Sequence, residues 1–198
     1  MVWPSVVRVT APATGPGGRS PAAPEARPAV RSRDQQRARV YRAEDAWAAR
    51  LDAARQGAVL ATVGGSSLLL PGERRLGSLT AAGQYAARVL SLPGVVAVVG
   101  AAAPLAVRPR RGVRAAHWEP PGTIALPVPV HGEPWALRET VLLHELAHHV
   151  GETTGRSRGH RAPFPAVLLL LVAEVLGEEA AFALRVDYGD EGVEVGVL

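Results

Sequence analysis

The segment His144-Glu-Leu-Ala-His148 carries more chemical information than any other stretch of this sequence. On an α-helix, side chains four residues apart lie on the same face, so both imidazoles point in one direction. Two imidazoles held in this way can bind one divalent metal, and histidine-rich sites favour Zn²⁺. Glu145 follows the first histidine, where a helix can hold a carboxylate as general base toward an activated water. The motif therefore predicts a zinc site with His144 and His148 as ligands and Glu145 as the catalytic residue.

The residues around the motif predict a buried helix from Trp135 to Val150. Apolar side chains cover most of its circumference, Pro134 suits the first turn, and Gly151 suits the residue just past the end. Polar side chains buried in such a helix cost free energy unless a bound metal compensates for the lost water. His149 points about 100° away from His148. We therefore expect His149 to have a supporting or surface role and not to be a ligand.

The third metal ligand has two candidates. A catalytic zinc site uses three protein ligands and leaves one position open. A metzincin would carry a histidine where this chain has Thr154, and its Met-turn would need a methionine other than Met1, so that class is excluded. His160 is favoured, because glycines punctuate the loop that would bring it back to the helix. Glu174, which interrupts the apolar run of the following helix, is the alternative, because thermolysin-like enzymes complete their sites with a glutamate.

Three stretches of the chain resemble a family of actinobacterial metallohydrolases. They are Arg33-Asp-Gln-Gln-Arg-Ala-Arg-Val-Tyr41, Ala136-Leu-Arg-Glu139 before the HExxH motif, and His160 four residues before Phe164. The resemblance extends from about Arg33 to Val195, and its histidine–aromatic pair is similar to that of SprT-like metalloproteases. It implies a small zincin-like domain and leaves the substrate open.

Composition limits the classes that remain. A chain of 198 residues is enough for one domain with a substantial core. Because cysteine is absent, disulfides and thiolate metal ligands are excluded. No stretch approaches the ~20 apolar residues of a membrane span, and the N-terminus lacks the pattern of a secretory signal. We therefore expect a cytoplasmic protein with no membrane partner.

We expect residues 1–32 to form a disordered tail and residues 33–198 to form a zincin-like domain. The tail is rich in Pro, Gly, Ala and Arg and has no hydrophobic periodicity. All basic residues of the chain are arginine, and eight of them fall within residues 1–42. Such a tail could contact nucleic acid, although a solvated extension is the commoner role of a segment of this composition.

The remaining pattern predicts an α+β fold, with a short mixed sheet packed on the HExxH helix. The strand before this helix, Thr123–Val130, is expected to lie along the cleft and pair with an extended peptide. Further helices are predicted at Asp34–Gln56, at Pro163–Leu176 and from Glu178 to about Val186. Another helix is predicted to begin at a cap formed by Ser78 or Thr80 and to run to Leu90, since Pro93-Gly94 would end it. The other strands are predicted at Ala58–Val63, Ser67–Leu70, Leu105–Arg108 and Arg114–Trp118.

Two functions of different classes fit these features. The first is a zinc-dependent metallohydrolase, most simply a metallopeptidase acting on a peptide or protein through Glu145. The second is a regulatory or nucleic-acid-associated protein with a non-catalytic metal site. Glu145 favours the first, because a structural site needs no base and usually closes with four protein ligands. The sequence does not decide the oligomeric state.

Several other polar residues have open roles. Hydrolysis also needs a group that stabilises charge on the carbonyl oxygen. Tyr85, Tyr188, His117 and Arg138 are candidates between which the sequence does not choose. Isolated histidines such as His117 and His131 are usually structural. The cluster Arg108, Arg110, Arg111 and Arg114 is most simply a solvated turn between strands.

Overall fold

The computed structural model describes Asp34 and residues 36–58, 60–112, 115–128 and 135–198. Within these ranges, helices and small sheets alternate, so the predicted α+β class is confirmed. The elements are α1 (Arg37–Arg55), β1 (Ala61–Val63), β2 (Ser66–Leu68), α2 (Leu79–Leu90), α3 (Pro93–Val99), β3 (Ala106–Arg110), β4 (His117–Glu119), β5 (Thr123–Pro127), a 3₁₀ turn (Trp135–Leu137), α4 (Glu139–Thr153), α5 (Pro163–Leu176) and α6 (Glu178–Asp190). The predicted tail at residues 1–32, together with Arg114, His131 and Pro134, lies outside the described residues.

Helices α1 and α2 form for reasons visible in their sequences. On α1 the buried stripe Val40, Ala43, Trp47 and Leu51 has helical spacing, and the Trp47 indole donates a hydrogen bond to the carbonyl of Ala180 on α6 (3.0 Å). Helix α2 begins at Ser78, whose side chain accepts a hydrogen bond from the amide of Ala81 (3.1 Å). The prediction of a cap at this position is confirmed, and α1 packs against α6 through the stripe.

The short hairpin β1–β2 also forms where the sequence predicts it. The strands pair antiparallel, with Val63 opposite Ser66. Gly64 and Gly65 make the turn with φ values of 54° and 80°, in the left-handed region that a two-residue hairpin loop requires.

The three-stranded sheet corrects one expectation about substrate pairing. Its strand order is β3-β5-β4, with β3 parallel and β4 antiparallel to β5. Strand β5, within the predicted Thr123–Val130, is therefore central and hydrogen-bonded on both sides. Over Thr123–Ala125 it has no open edge for a peptide, so the expectation of peptide pairing was wrong for these residues; β4 does not pair with Leu126 and Pro127, and residues 129 and 130 lie outside the described residues. Among the described strands it is β4 that lies at the sheet edge beside α4.

Helix α4 begins and ends later than predicted. The chain forms a 3₁₀ turn from Trp135 to Leu137, extends at Arg138 (ψ 143°), and enters the α-helix at Glu139. At the other end the helix continues through Gly151 to Thr153. The glycine is buried inside the helix because the following loop packs against it: a Cβ here would lie 2.9 Å from Cβ of Ser157. Gly151 therefore allows the following loop to approach the helix closely and does not end the helix.

A buried ionic network fixes the start of α4. Arg138 cannot cap the helix, and Glu73 takes that place by accepting hydrogen bonds from the amide (3.3 Å) and hydroxyl of Thr140 and from Nε of Arg138 (2.9 Å). Glu139 in turn accepts from the amide of Arg74 (3.0 Å) and the hydroxyl of Tyr85 (2.6 Å). These contacts join residues 73–76 to the first turn of the helix that carries the motif.

Helices α3 and α5 complete the core. Pro93-Gly94 was expected only to end α2. In the structure Pro93 also occupies the first turn of α3, where its missing amide hydrogen costs no helical hydrogen bond. Helix α5 spans the predicted Pro163–Leu176 and is apolar around most of its circumference because α4, α6 and α3 pack against it. Helix α6 begins as predicted at Glu178 and continues to Asp190.

No single helix of the described residues has both the length and the apolar composition needed to cross a membrane. Helices α2 and α3 reach that length and composition only when they are taken together, and they are bent by 63° at the break between them.

Candidate metal centre

Three histidine side chains converge at one point of the fold. His144 and His148 project from α4, and His160 arrives from the loop between α4 and α5. One ring nitrogen of each lies within 4.8 Å of the others, and the Nε2 atoms of His144 and His160 are 3.3 Å apart. Two nitrogens bound to one tetrahedral Zn²⁺ at about 2.0–2.1 Å would be separated by roughly the same distance. The structure thus brings together the three residues that the sequence proposes as ligands, and this cluster could hold a metal ion.

The loop after α4 reaches back because its glycines allow tight turns. Gly155 and Gly159 adopt φ values of 70° and 62°, and the amide of Ser157 donates to the carbonyl of Gly151 (3.0 Å). A Cβ on Gly159 would lie 2.9 Å from a carboxylate oxygen of Asp34, so only glycine fits there without a shift. The loop therefore returns His160 to the face of the helix that carries the motif.

Two acidic side chains from the N-terminal part of the domain orient the imidazoles. The Nδ1 atom of His144 lies 2.7 Å from Oε2 of Glu44, and that of His160 lies 2.8 Å from Oδ2 of Asp34. The same Asp34 oxygen accepts from the backbone amide of His160 (2.9 Å), and Tyr188 donates to the other oxygen of Glu44 (3.1 Å). With Nδ1 occupied, both rings turn Nε2 toward the cluster, as in carboxylate–histidine–metal arrangements.

Asp34 and Glu44 were not among the site residues expected from the sequence. One signal was available: Asp34, Arg37, Tyr41 and Glu44 follow each other at intervals of three or four residues, which places them on one helix face. Nothing in the local pattern connects that face to the motif, because the contacts span 126 residues for Asp34 and 100 residues for Glu44.

Burial and neighbouring charges set the protonation of the cluster. Burial and the positive fields of His144 and His160 lower the pKa of His148 to about 2. Burial and the charge of His144 also lower the pKa of His160, although Asp34 opposes this. For His144, burial acts to lower the pKa, but the Glu44 carboxylate outweighs it and the pKa is raised. Three imidazoles this close cannot all be protonated, so the cluster presents unprotonated nitrogen to a cation.

Glu145 lies beside the cluster with one oxygen unused. Its side chain is 4% exposed, and the backbone amide of Trp118 on β4 hydrogen-bonds its carboxyl group. Oε2 is buried and has no hydrogen-bond partner among the described residues. Burial raises the pKa of this carboxyl group. A buried carboxylate oxygen that has no hydrogen-bond partner among the described residues is able to accept a proton, as a general base must.

Two aromatic rings enclose the histidines. Phe164 is fully buried, and its ring centroid lies 4.9, 4.5 and 4.9 Å from those of His144, His148 and His160. Tyr41 stacks on His144 at 5.3 Å with an interplanar angle of 18°. Burial raises the pKa of the Tyr41 hydroxyl, while the Arg37 guanidinium opposes this. The guanidinium lies over the ring, 5.3 Å from its centroid.

A cavity of about 400 Å³ lies between α1, the segment just before β4 and α4, and His144 is the member of the cluster that lines it. Glu145 lines it too, together with residues that include Arg37, Tyr41, Ala116, Trp135 and Arg138. A second depression of about 480 Å³ lies on the other face of α5, between α6 and the C-terminal residues, and contains none of the histidines.

The other candidate residues lie elsewhere. Glu174 is exposed, and its carboxyl group covers Gly94 on α3, which leaves His160 as the third member of the cluster. His149 is fully buried, with Nε2 2.9 Å from the carbonyl of Ala103 and Nδ1 accepting from the indole of Trp118 (3.1 Å), so its role is supporting and not at the surface. His117 contacts Glu119 (2.9 Å) and Arg110 on the exposed side of the sheet.

Comparisons of the chain with protein-family models, with curated proteins and with solved structures find no match. The family resemblance described above therefore stays an expectation, and the geometry of the site carries the functional argument.

Proposed function

We propose that this protein is a zinc-dependent metallohydrolase of the peptidase type, built on a zincin-like domain. The observation that carries the proposal is Glu145, whose buried Oε2 has no partner among the described residues and whose carboxyl group is close enough to His144 of the histidine cluster for their charges to interact. A site that only stored or stabilised a metal would not need this carboxylate. Leaving it unpaired costs free energy that a structural role does not offset.

The donor set supports zinc. Three imidazole nitrogens suit Zn²⁺, and the spacing of 3.3 Å between two of them is compatible with tetrahedral coordination. The nearby carboxylates of Asp34 and Glu44 accept hydrogen bonds from the histidine rings, so they are supporting groups and not ligands. Three protein ligands leave a position open for water and substrate, as catalytic zinc sites require.

The chemistry follows from these positions. Zinc would acidify a water molecule and polarise the substrate carbonyl. Glu145 would accept the water proton at Oε2 and later donate it to the leaving amine, and its raised pKa brings the carboxyl group closer to the range in which both transfers proceed. The Trp118 amide holds the carboxyl group in place while this happens.

An extended peptide would lie along β4. The amide of Trp118 points away from β5 toward Glu145, and in a strand the peptide groups two residues apart point the same way. Ala116 directly precedes β4 and lines the cavity, so this end of the strand borders the space a substrate would occupy. This edge replaces the predicted Thr123–Val130 as the surface for peptide pairing.

The proposal is tested first by metal content. Mass spectrometry of the untagged full chain should find about one zinc per protein, and His144→Ala or His148→Ala should abolish its binding. Stoichiometric zinc in both variants would contradict the site. The zinc-loaded protein is then incubated with a broad library of internally quenched peptides, from which wild type should release fluorescence and Glu145→Gln should not.

The alternative, a regulatory or nucleic-acid-associated protein with a non-catalytic metal site, makes a different prediction. It requires a fourth protein ligand and no turnover. X-ray absorption on the zinc-loaded protein separates the two: three protein nitrogens and one exchangeable oxygen support the hydrolase. Four protein ligands, together with an inert peptide library, would overturn it.

A further inference from the structure

The open side of the histidine cluster can be located from its neighbours. Phe164 is fully buried and contacts all three imidazoles, so it closes one side. The cavity opens on another side, where Tyr41 and Glu145 border His144. A carbonyl that approaches Glu145 must therefore pass the face of α1 on which Tyr41 lies. Its oxygen would gain negative charge during attack by water and would need a donor there.

Most donors that line the cavity already have acceptors. The Trp47 indole donates to the carbonyl of Ala180, and the side chains of Arg138 and Thr140 both donate to Glu73. Other candidates from the sequence are excluded by position, because Tyr85 donates to Glu139 and Tyr188 to Glu44. Neither of these two hydroxyls lines the cavity.

Tyr41 differs from both of these tyrosines. Its side chain is 38% exposed, its ring is held against His144 and His160, and the Arg37 side chain makes a polar contact with it. The Arg37 guanidinium lies over the ring, 5.3 Å from its centroid, and it has only donors, so it cannot accept the O–H proton and leaves it for another acceptor. Stacking restricts the ring, so the hydroxyl is directed before substrate arrives, which is the condition for effective charge stabilisation.

The geometry points to Tyr41 as the catalytic residue that donates a hydrogen bond to the developing oxyanion, with Arg37 as the residue that positions its hydroxyl. The assignment rests on the proposed hydrolytic function. The hydroxyl keeps its proton throughout: it shortens its hydrogen bond as charge grows on the carbonyl oxygen, and relaxes when Glu145 delivers its proton and the amide bond breaks.

The test compares Tyr41→Phe with wild type in the full-length, zinc-loaded protein. On the peptide that wild type cleaves fastest, we expect kcat to fall by about 10²-fold, the scale of one lost oxyanion donor, with KM within about twofold. A second readout is independent of turnover. An Ala-Ala phosphinate dipeptide carries a tetrahedral anionic group, and calorimetry should show its affinity reduced at least about tenfold by Tyr41→Phe. Zinc content should stay at the wild-type level.

Two further variants test the positioning role. Arg37→Met should lower kcat by a smaller factor than Tyr41→Phe, and Arg37→Lys should restore part of it, since an ammonium can also lie over the face of the phenol ring. Tyr85→Phe is the matched control. It removes a buried tyrosine hydroxyl away from the cavity, so it should lower the melting temperature and leave kcat and phosphinate affinity unchanged.

Three outcomes would overturn the assignment. The first is a Tyr41→Phe variant with the kcat and phosphinate affinity of wild type. The second is a Tyr41→Phe variant that loses its zinc, because Tyr41 would then only support the cluster. A loss in Trp135→Phe without one in Tyr41→Phe would transfer the role to the indole that also lines the cavity. If zinc-loaded wild type neither cleaves any library peptide nor binds the phosphinate, the proposed function fails and the assignment fails with it.

Discussion

Helix α4 buries Glu139 in its first turn and Glu145 six residues later, and the two carboxyl groups have different surroundings. Glu139 is 0% exposed, and both of its oxygens accept hydrogen bonds, from Arg74 and from Tyr85. Glu145 is almost as buried, yet its Oε2 atom accepts no hydrogen bond from the described residues. A buried carboxylate is tolerated when it is fully paired, so Glu139 is explained by the fold alone. Glu145 needs a partner that the polypeptide does not supply.

The same difference separates the two ends of the helix. At the start of α4, both oxygens of Glu73 and of Glu139 accept hydrogen bonds from arginines, hydroxyls and backbone amides of the protein. At the motif, Asp34 and Glu44 contact the Nδ1 atoms of imidazoles whose Nε2 atoms converge. Paired buried charge at one end thus fixes the helix, and the cluster at the other end is where we propose that a metal ion binds.

The largest effect should come from removing the third imidazole. His160→Ala leaves two ligands, so zinc binding should fall from stoichiometric to undetectable at micromolar protein. Glu174→Ala is the control, because its carboxyl group covers Gly94 away from the cluster, and it should bind zinc as wild type does. Equilibrium dialysis against a zinc-buffered solution measures both. If Glu174→Ala lost zinc and His160→Ala kept it, the third ligand would be Glu174.

Substituting the two glutamates of α4 by glutamine tests the comparison directly. Glu145→Gln keeps the shape but removes the proton acceptor, so peptide hydrolysis should fall by ~10² or more, while zinc content stays near normal. The metal-free variant should be no less stable than wild type, because a buried charge without a partner has been removed. Calorimetry and peptide cleavage on the same samples give both values. Unchanged turnover would reject Glu145 as the base.

Glu139→Gln should show the reverse. The amide can accept only at one oxygen, so the hydrogen bonds from Arg74 and Tyr85 are weakened, and the free energy of unfolding should fall by about 1.5–3 kcal/mol. Zinc affinity and kcat should remain at wild-type values. Chemical denaturation of the metal-free protein measures the loss. A variant that kept its stability but lost turnover would show that the start of α4 takes part in the chemistry.

The carboxylates that hold the imidazoles should have an intermediate effect. Glu44→Gln and Asp34→Asn preserve shape but weaken the hydrogen bonds to Nδ1, and such changes lower metal affinity by about 10–100-fold. Competition with a chromophoric zinc chelator measures the shift. Glu191→Gln, which loses only an exposed ion pair with Arg42, is the control and should leave zinc affinity unchanged. Equal affinities in all three variants would show that the carboxylates do not support the site.

The sequence was informative where a feature depends on neighbours in the chain. The spacing of His144 and His148, the hairpin glycines, the cap at Ser78 and the uniformly apolar α5 all follow from local rules. It was less informative where the determinant comes from a distant segment. The central position of β5 depends on pairing with β3 and β4, and the start of α4 depends on Glu73, which lies 67 residues from its partner Thr140.

The candidate site divides in the same way. A favoured ligand set of His144, His148 and His160 could be proposed from spacing and loop composition, and Glu145 from its place in the motif. The roles of Asp34, Glu44 and Tyr41 could not be proposed in this way, because the N-terminal part of the domain meets α4 only after the chain has folded. Pro93 and Gly151 were misread for a related reason: each residue can end a helix or lie within one, and only the packing around it decides.

Gly151→Ala should give the smallest change in stability and still affect the metal end of α4. A Cβ there would lie 2.9 Å from Cβ of Ser157, which forces the loop to shift at a cost of about 1–3 kcal/mol. The gain in helix propensity, about 1 kcal/mol, offsets part of that cost. The net loss is therefore about 0–2 kcal/mol, a fall of at most about 8 °C in the melting temperature, but His160 moves with the loop, so zinc affinity should fall as well. Gly83→Ala on α2 is the control: its new methyl group would meet only Val107 at 3.9 Å, so the protein should gain up to about 1 kcal/mol with zinc affinity unchanged. If Gly151→Ala bound zinc as tightly as wild type, the loop could adjust without moving His160, and the glycine would serve packing alone.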